Sequence, residues 1–319
     1  VDRALRTPVH ARAEIWGAKA RGVKAEGAPV QRGELAMRIG SEEHKDLFCR
    51  DFKDSHQRFE PAELPWPELS PAELERLRAV PFWQEVFQTE RRAGAIVGEF
   101  AKTIHDAQLK EVIDLQGYEE ARHARLIAHM IERYGLNATE EPFKPLPADI
   151  RTAFVDFGYG ECLDSFLGFG VFKIARQSGF LPDAMFSLFD VLMLEETRHI
   201  VFFINWMAYD ETRRGRGFAP WRALTAAYYY ARAIGRLVGT VRRGQQEGGG
   251  QDFSATQAEV FLEDFSILRL VRECLAENRR RMGAFDARLL RPKFFPALGR
   301  FAYNILRLWP NRAAGARAA

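Results

Sequence analysis

The pentapeptide Glu-Glu-x-Arg-His occurs twice, as Glu119-Glu120-Ala121-Arg122-His123 and Glu195-Glu196-Thr197-Arg198-His199, each inside a stretch of helical character. On an α-helix, Glu-x-x-His turns a carboxylate and an imidazole to one face, about one turn apart. Two such helices face to face gather two of each group. One further carboxylate from each of two more helices completes the six-ligand set of a carboxylate-bridged dinuclear metal centre inside a four-helix bundle. A single Glu-x-x-His is commonplace on solvated helix faces. Two copies that also agree at the preceding acid and at the Arg constrain the fold far more tightly.

The remaining carboxylates follow from hairpin geometry. In an antiparallel helix pair, residues equidistant from the turn lie side by side. Glu90 lies thirty residues before Glu120, which centres the turn near His105 and Asp106, where Asp106 can cap the next helix. Glu90 shares its face with Trp83, Val86, Phe87, Ala93, Gly94 and Val97, whereas Glu99 falls on the side of Glu85, Gln88, Arg92 and Lys102. For Glu196 the same construction selects Glu161, thirty-five residues earlier, with the midpoint at Ser178-Gly179 and a helix start after Pro182. Glu161 sits on an apolar face with Phe154, Phe157, Gly158, Gly168 and Phe172, where a carboxylate without a partner is costly.

On these residues, over roughly positions 80 to 210, the chain resembles the ferritin-like non-haem di-iron carboxylate proteins. The acid-Glu-x-Arg-His form is similar to the hydroxylase subunits of bacterial multicomponent monooxygenases, with related forms in acyl-carrier-protein desaturases and magnesium-protoporphyrin monomethyl ester cyclases. The hairpin spacings resemble those of demethoxyubiquinone hydroxylases. The resemblance implies Glu90, Glu120, His123, Glu161, Glu196 and His199 as ligands, with Glu120 and Glu196 bridging. The monooxygenases carry Asp where this chain has Glu119 and Glu195. These two are expected to accept a hydrogen bond from the ligating His of the opposite motif; a surface ion pair with Arg122 or Arg198 is the alternative. Four carboxylates with two imidazoles suit iron, or a manganese–iron pair, better than copper.

Ser165 lies one turn after Glu161, where several oxygen-activating relatives keep a hydroxyl associated with proton delivery, and Asp164 shares that face. A Ser165 hydroxyl bonded back to its own helix is the competing reading. Glycines crowd this helix at 158, 160, 168 and 170, giving either space for oxygen and substrate or close helix packing. The radical Tyr of ribonucleotide reductase small subunits is matched here by Ile127. Cys49, Cys162 and Cys274 are isolated, unlike the paired cysteines of rubrerythrins, and simple ferritins are shorter chains. No nucleotide fingerprint is present, so electrons are expected from a separate reductase or a reducing substrate.

The expectation is therefore an all-α, ferritin-like four-helix bundle with additional C-terminal helices. Residues 1–75 are read as an irregular N-terminal arm, 76–215 as the bundle and 216–319 as a helical extension packed on it. Core helices are expected at about 81–104, 107–135, 149–178 and 183–213, then helices near 219–243 and 254–283 around a Gly248-Gly250 linker. The expected activity is oxidation of an apolar organic substrate by O2 at two iron ions. Ferroxidase or peroxide-reducing activity, or a metal-free structural role, is the alternative.

With 47% hydrophobic residues in 319, the chain can bury a large core. Unpatterned cysteines argue for a reducing compartment, and no basic-then-apolar leader is visible, so a cytoplasmic location is expected; a homodimer is the expected assembly. Arg222, Arg232 and Arg236 interrupt the most promising apolar run. From Leu275 to Arg317 there are ten Lys or Arg against two acids. Within Ala297–Trp309, Arg300, Asn304 and Arg307 oppose Leu298, Phe301, Ile305, Leu308 and Trp309. That pattern suits a helix packed on its own bundle, the preferred reading, or one lying on a membrane. Nucleic-acid binding is not expected, because no recognition module accompanies the charge.

Overall fold

Strong caps and long amphipathic stretches set the helices of this chain. The computed structural model describes residues 37–246 and 266–308, and these are all-α, with no strand among them. The helices are α1 (Glu42–Asp54), α2 (Pro71–Ala79), α3 (Trp83–Ala101), α4 (Ala107–Tyr134), α5 (Ile150–Gln177), α6 (Asp183–Arg213), α7 (Ala219–Gln246), α8 (Ile267–Met282) and α9 (Phe294–Leu308). Asp106 caps α4 by accepting from the backbone N–H of Gln108 and Leu109. Gly135 ends that helix with φ +61°, a conformation only glycine adopts cheaply. Ser70 and Glu73 form a reciprocal capping box on α2, with Pro71 in its first turn.

The short loops between α3 and α4 and between α5 and α6 make two helix hairpins, which pack on each other to give a helical bundle. Two apolar clusters fill it. One includes Phe100, Phe154 and Trp206, with the Phe100 and Phe154 rings 4.2 Å apart. The other includes Leu77, Phe87, Ile127, Met130 and Phe186. A polar layer from α3, α4, α5 and α6 lies between them.

Helices α7, α8 and α9 pack along α5. A Cβ built on Gly170 would lie 2.8 Å from the backbone N of Cys274 in α8, and one on Gly158 would lie 2.3 Å from the Phe203 ring. Close helix packing explains these two glycines, whereas Gly168 borders open space. Gly170→Val is therefore expected to destabilise the fold by roughly 1–3 kcal/mol or more, through overpacking against a backbone that has no room to yield. Chemical denaturation of the variant measures this directly.

The expected irregular arm is corrected over residues 42–54. These form α1, capped by Ser41 and held on α6 by buried His44, Leu47, Phe48 and Phe52. His44 accepts from the N–H of Gly40 and bonds Asn205 Oδ1 at 2.8 Å, tying α1 to α6. Residues 1–36, the Gly248–Gly250 linker, the expected helix start near 254 and Trp309 lie outside the described residues. No helix of the described residues is long and apolar enough to cross a membrane.

Candidate metal centre

Each of the four core helices delivers its polar residues to the layer between the apolar clusters. Glu90 comes from α3, Glu120 and His123 from α4, Glu161 from α5, and Glu196 and His199 from α6. The ligand atoms of Glu90, Glu120, His123 and Glu196 lie within 4.8 Å of one another, a group able to hold a metal ion. His123 Nδ1 is 3.1 Å from Glu196 Oε1, 3.5 Å from Glu90 and 3.7 Å from Glu120 Oε2. His199 Nδ1 is 3.0 Å from Glu120 Oε1 and 3.9 Å from Glu196 Oε1. The two imidazole centroids are 5.6 Å apart. Glu161 adjoins Glu196 rather than the imidazoles.

The outer face of each ring is already engaged. His123 Nε2 is 3.0 Å from Glu195 Oε2, and His199 Nε2 is 2.9 Å from Glu119 Oε2. Arg122 donates to Glu195 at 2.5 Å and Arg198 to Glu119 at 3.0 Å. The first residue of each pentapeptide thus binds the fourth and fifth residues of the other copy. The hydrogen bond from the opposite His is present, and the ion pair with Arg accompanies it inside the protein instead of replacing it at the surface. The arginines are buried, not on the surface. Arg198 also donates to Phe52 O and Ser55 Oγ, and Arg122 to Gln57 O, so the segment carrying α1 is fixed to this layer.

An Nε2–H donated to a carboxylate leaves a lone pair on Nδ1. In both rings that Nδ1 is buried without a hydrogen-bond partner and faces carboxylate oxygens at 3.0–3.1 Å. Lone pairs set against anionic oxygens demand a cation or proton between them. First-row metal bonds of roughly 2.0–2.2 Å leave neighbouring donors about 3 Å apart, so the residues fit a metal ion.

Electrostatics express the same crowding. Burial, with the nearby carboxylates, pushes Glu90 up to about 7 and Glu161 well above the carboxylate range. Burial disfavours charge on His199 as well, yet Glu120 and Glu119 outweigh it and raise its pKa to about 10; His123 is raised in the same way. Glu119 is held down at about 2, where His199 and Arg198 overcome its burial.

A cavity of about 460 Å³ opens onto this layer. Its walls are mainly apolar, including Trp83, Ile127, Phe172, Phe186, Phe189 and Leu237, and Glu90, Glu161 and Glu196 form its polar end. Ser165 and Asp164 line it too. The Ser165 hydroxyl is buried and makes no hydrogen bond, to its own helix or elsewhere. Asp164 is exposed within the cavity but deep among protein atoms, and that crowding pushes it up to about 6.

Three further residues belong to the site. Gln116 donates to Glu120 Oε1 at 3.3 Å from one turn earlier on α4, a spacing visible in the sequence. His56 bonds Glu119 at 2.5 Å from the loop after α1, and Arg236 of α7 reaches the cavity wall; neither position carries a periodic signal. His56, Glu119 and Glu195 form a second acidic-His trio, but both carboxylates there are already paired with arginine. Compared with protein-family models, curated proteins and solved structures, the chain matches none of them.

Proposed function

We propose that this chain is a ferritin-like non-haem di-iron oxygenase that oxidises an apolar organic molecule bound in the cavity. Glu90, Glu120, Glu161, Glu196, His123 and His199 would hold the metals, iron or a manganese–iron pair. The two oxygens of Glu120 face different imidazoles and Glu196 Oε1 lies near both, which suits them to bridge. When bound, such a metal pair supplies reductive activation of O2. Glu119 and Glu195 hold the imidazoles in one orientation. Ser165 and Asp164, in the cavity beside Glu161, are placed to hand on a proton. Electrons come from a separate reductase or a reducing substrate.

The observation that carries this reading is the cavity: an apolar chamber whose polar end is three of the proposed ligands. A site that takes iron as cargo requires a polar route, and an organic substrate requires an apolar one. The test combines metal analysis of the purified chain with oxygen uptake. Two iron ions per chain and uptake that needs reductant are expected. Gly168→Phe, which places a ring in the open part of the cavity, should keep the iron and lose oxidation of apolar substrates. Undiminished iron oxidation without reductant in that variant would replace oxygenation with iron handling.

A further inference from the structure

Helix α9 uses one side to pack and leaves a large apolar side open. Phe295, Pro296 and Gly299 are buried, and a Cβ on Gly299 would lie 3.1 Å from Phe166 and 3.3 Å from Leu275. Phe294, Leu298, Phe301, Ile305 and Leu308 recur at intervals of four and three residues and so share one face. They are 39–77% exposed. Helix α7 does the same with Trp221, Leu224 and Tyr228, preceded by Phe218. The helices adjoin, since the rings of Tyr230 and Phe294 stack 4.7 Å apart. Packing on its own bundle therefore accounts for the other side of α9 and not for this stripe.

The charges that these two helices carry are of one sign. Neither α7 nor α9 contains Asp or Glu. Lys293, Arg300 and Arg307 are exposed at α9, and Arg216 lies 6.0 Å from the Trp221 ring at the start of α7. Arg232 and Arg236 are already paired with Asp156 of α5. A second copy meeting this face about a two-fold axis would bring the same cations together, which opposes a dimer here. A bilayer rich in anionic lipid offers hydrocarbon to the stripe and phosphate to the cations.

We propose that the exposed faces of α7 and α9 form a docking surface for an anionic phospholipid membrane, on which both helices lie flat. Docking does not depend on the metal centre. On its inner side α7 contributes Ala233 and Leu237 to the cavity wall, so one helix separates the docked lipid from the cavity.

The test is co-sedimentation of the full chain with vesicles of phosphatidylcholine alone and with phosphatidylglycerol added. Binding to the anionic vesicles that weakens with salt is expected. Phe301→Glu should reduce partitioning roughly tenfold or more, and Arg300→Glu with Arg307→Glu should remove the preference for phosphatidylglycerol. These exposed positions should leave thermal unfolding unchanged; if Phe301→Glu misfolds, Leu308→Glu replaces it. Failure to bind anionic vesicles overturns the proposal, as does unaltered binding by a folded stripe variant. Self-association abolished by Phe301→Glu without vesicle binding would assign the face to a second copy instead.

Discussion

Replacing Glu120 with Gln is expected to deprive the purified chain of bound metal while leaving it folded. Its two oxygens face His123 and His199, 3.7 Å and 3.0 Å away, so its loss is felt on both sides of the site. Glutamine keeps the volume and removes the anionic donor. Removal of an outer partner of a ligand typically costs 10–100-fold in affinity, and a shared inner carboxylate should cost at least about 100-fold. Elemental analysis after iron supplementation measures the loading, and circular dichroism reports the fold. Glu99→Gln is the control, because Glu99 pairs with Lys102 on the exposed side of α3. Two metals retained in Glu120→Gln would remove this residue from the centre.

The second large effect concerns Arg198. It is 2% exposed and faces Glu119, which is fully buried. Methionine at this position leaves Glu119 as an anion without its guanidinium, a change that typically costs about 3–5 kcal/mol. It also removes donors to Phe52 O and Ser55 Oγ and so loosens α1. In urea unfolding, Arg198→Met should show this full loss. Adding Glu119→Gln should recover most of it, because a neutral amide no longer requires the partner. Equal stabilities of the single and double variants would show that the cost lies in lost packing and not in the stranded charge.

The core helices α3 to α6 are legible in the sequence because local signals agree with the final packing. Asp106 and Asp149 cap, Gly135 and Gly179 take positive φ, and long apolar stretches lie on both sides of the polar layer. Helix α1 is not legible. Its Lys45 and Lys53 blur a short apolar stripe, and its burial depends on α6, far along the chain. At the site, spacing alone nominates the Glu-x-x-His faces and the hairpin partners Glu90 and Glu161. Spacing does not reveal that Glu119 and Glu195 each serve a His and an Arg together, since that depends on how α4 and α6 face each other. His56 is similarly invisible, because its loop acquires a place only once α1 has docked.

The two pentapeptides build nearly equivalent halves, but the chamber beside them is not shared evenly. It reaches Glu90, Glu161 and Glu196, while Glu120, His123 and His199 are walled off behind them, with the Phe52 ring 6.0 Å from that of His199. A molecule arriving at the centre therefore meets only one flank. Ions held there would turn their carboxylate side, Glu90, Glu161 and Glu196, toward an arriving molecule and their imidazole side away from it, so both halves of the centre would be approached from the same direction.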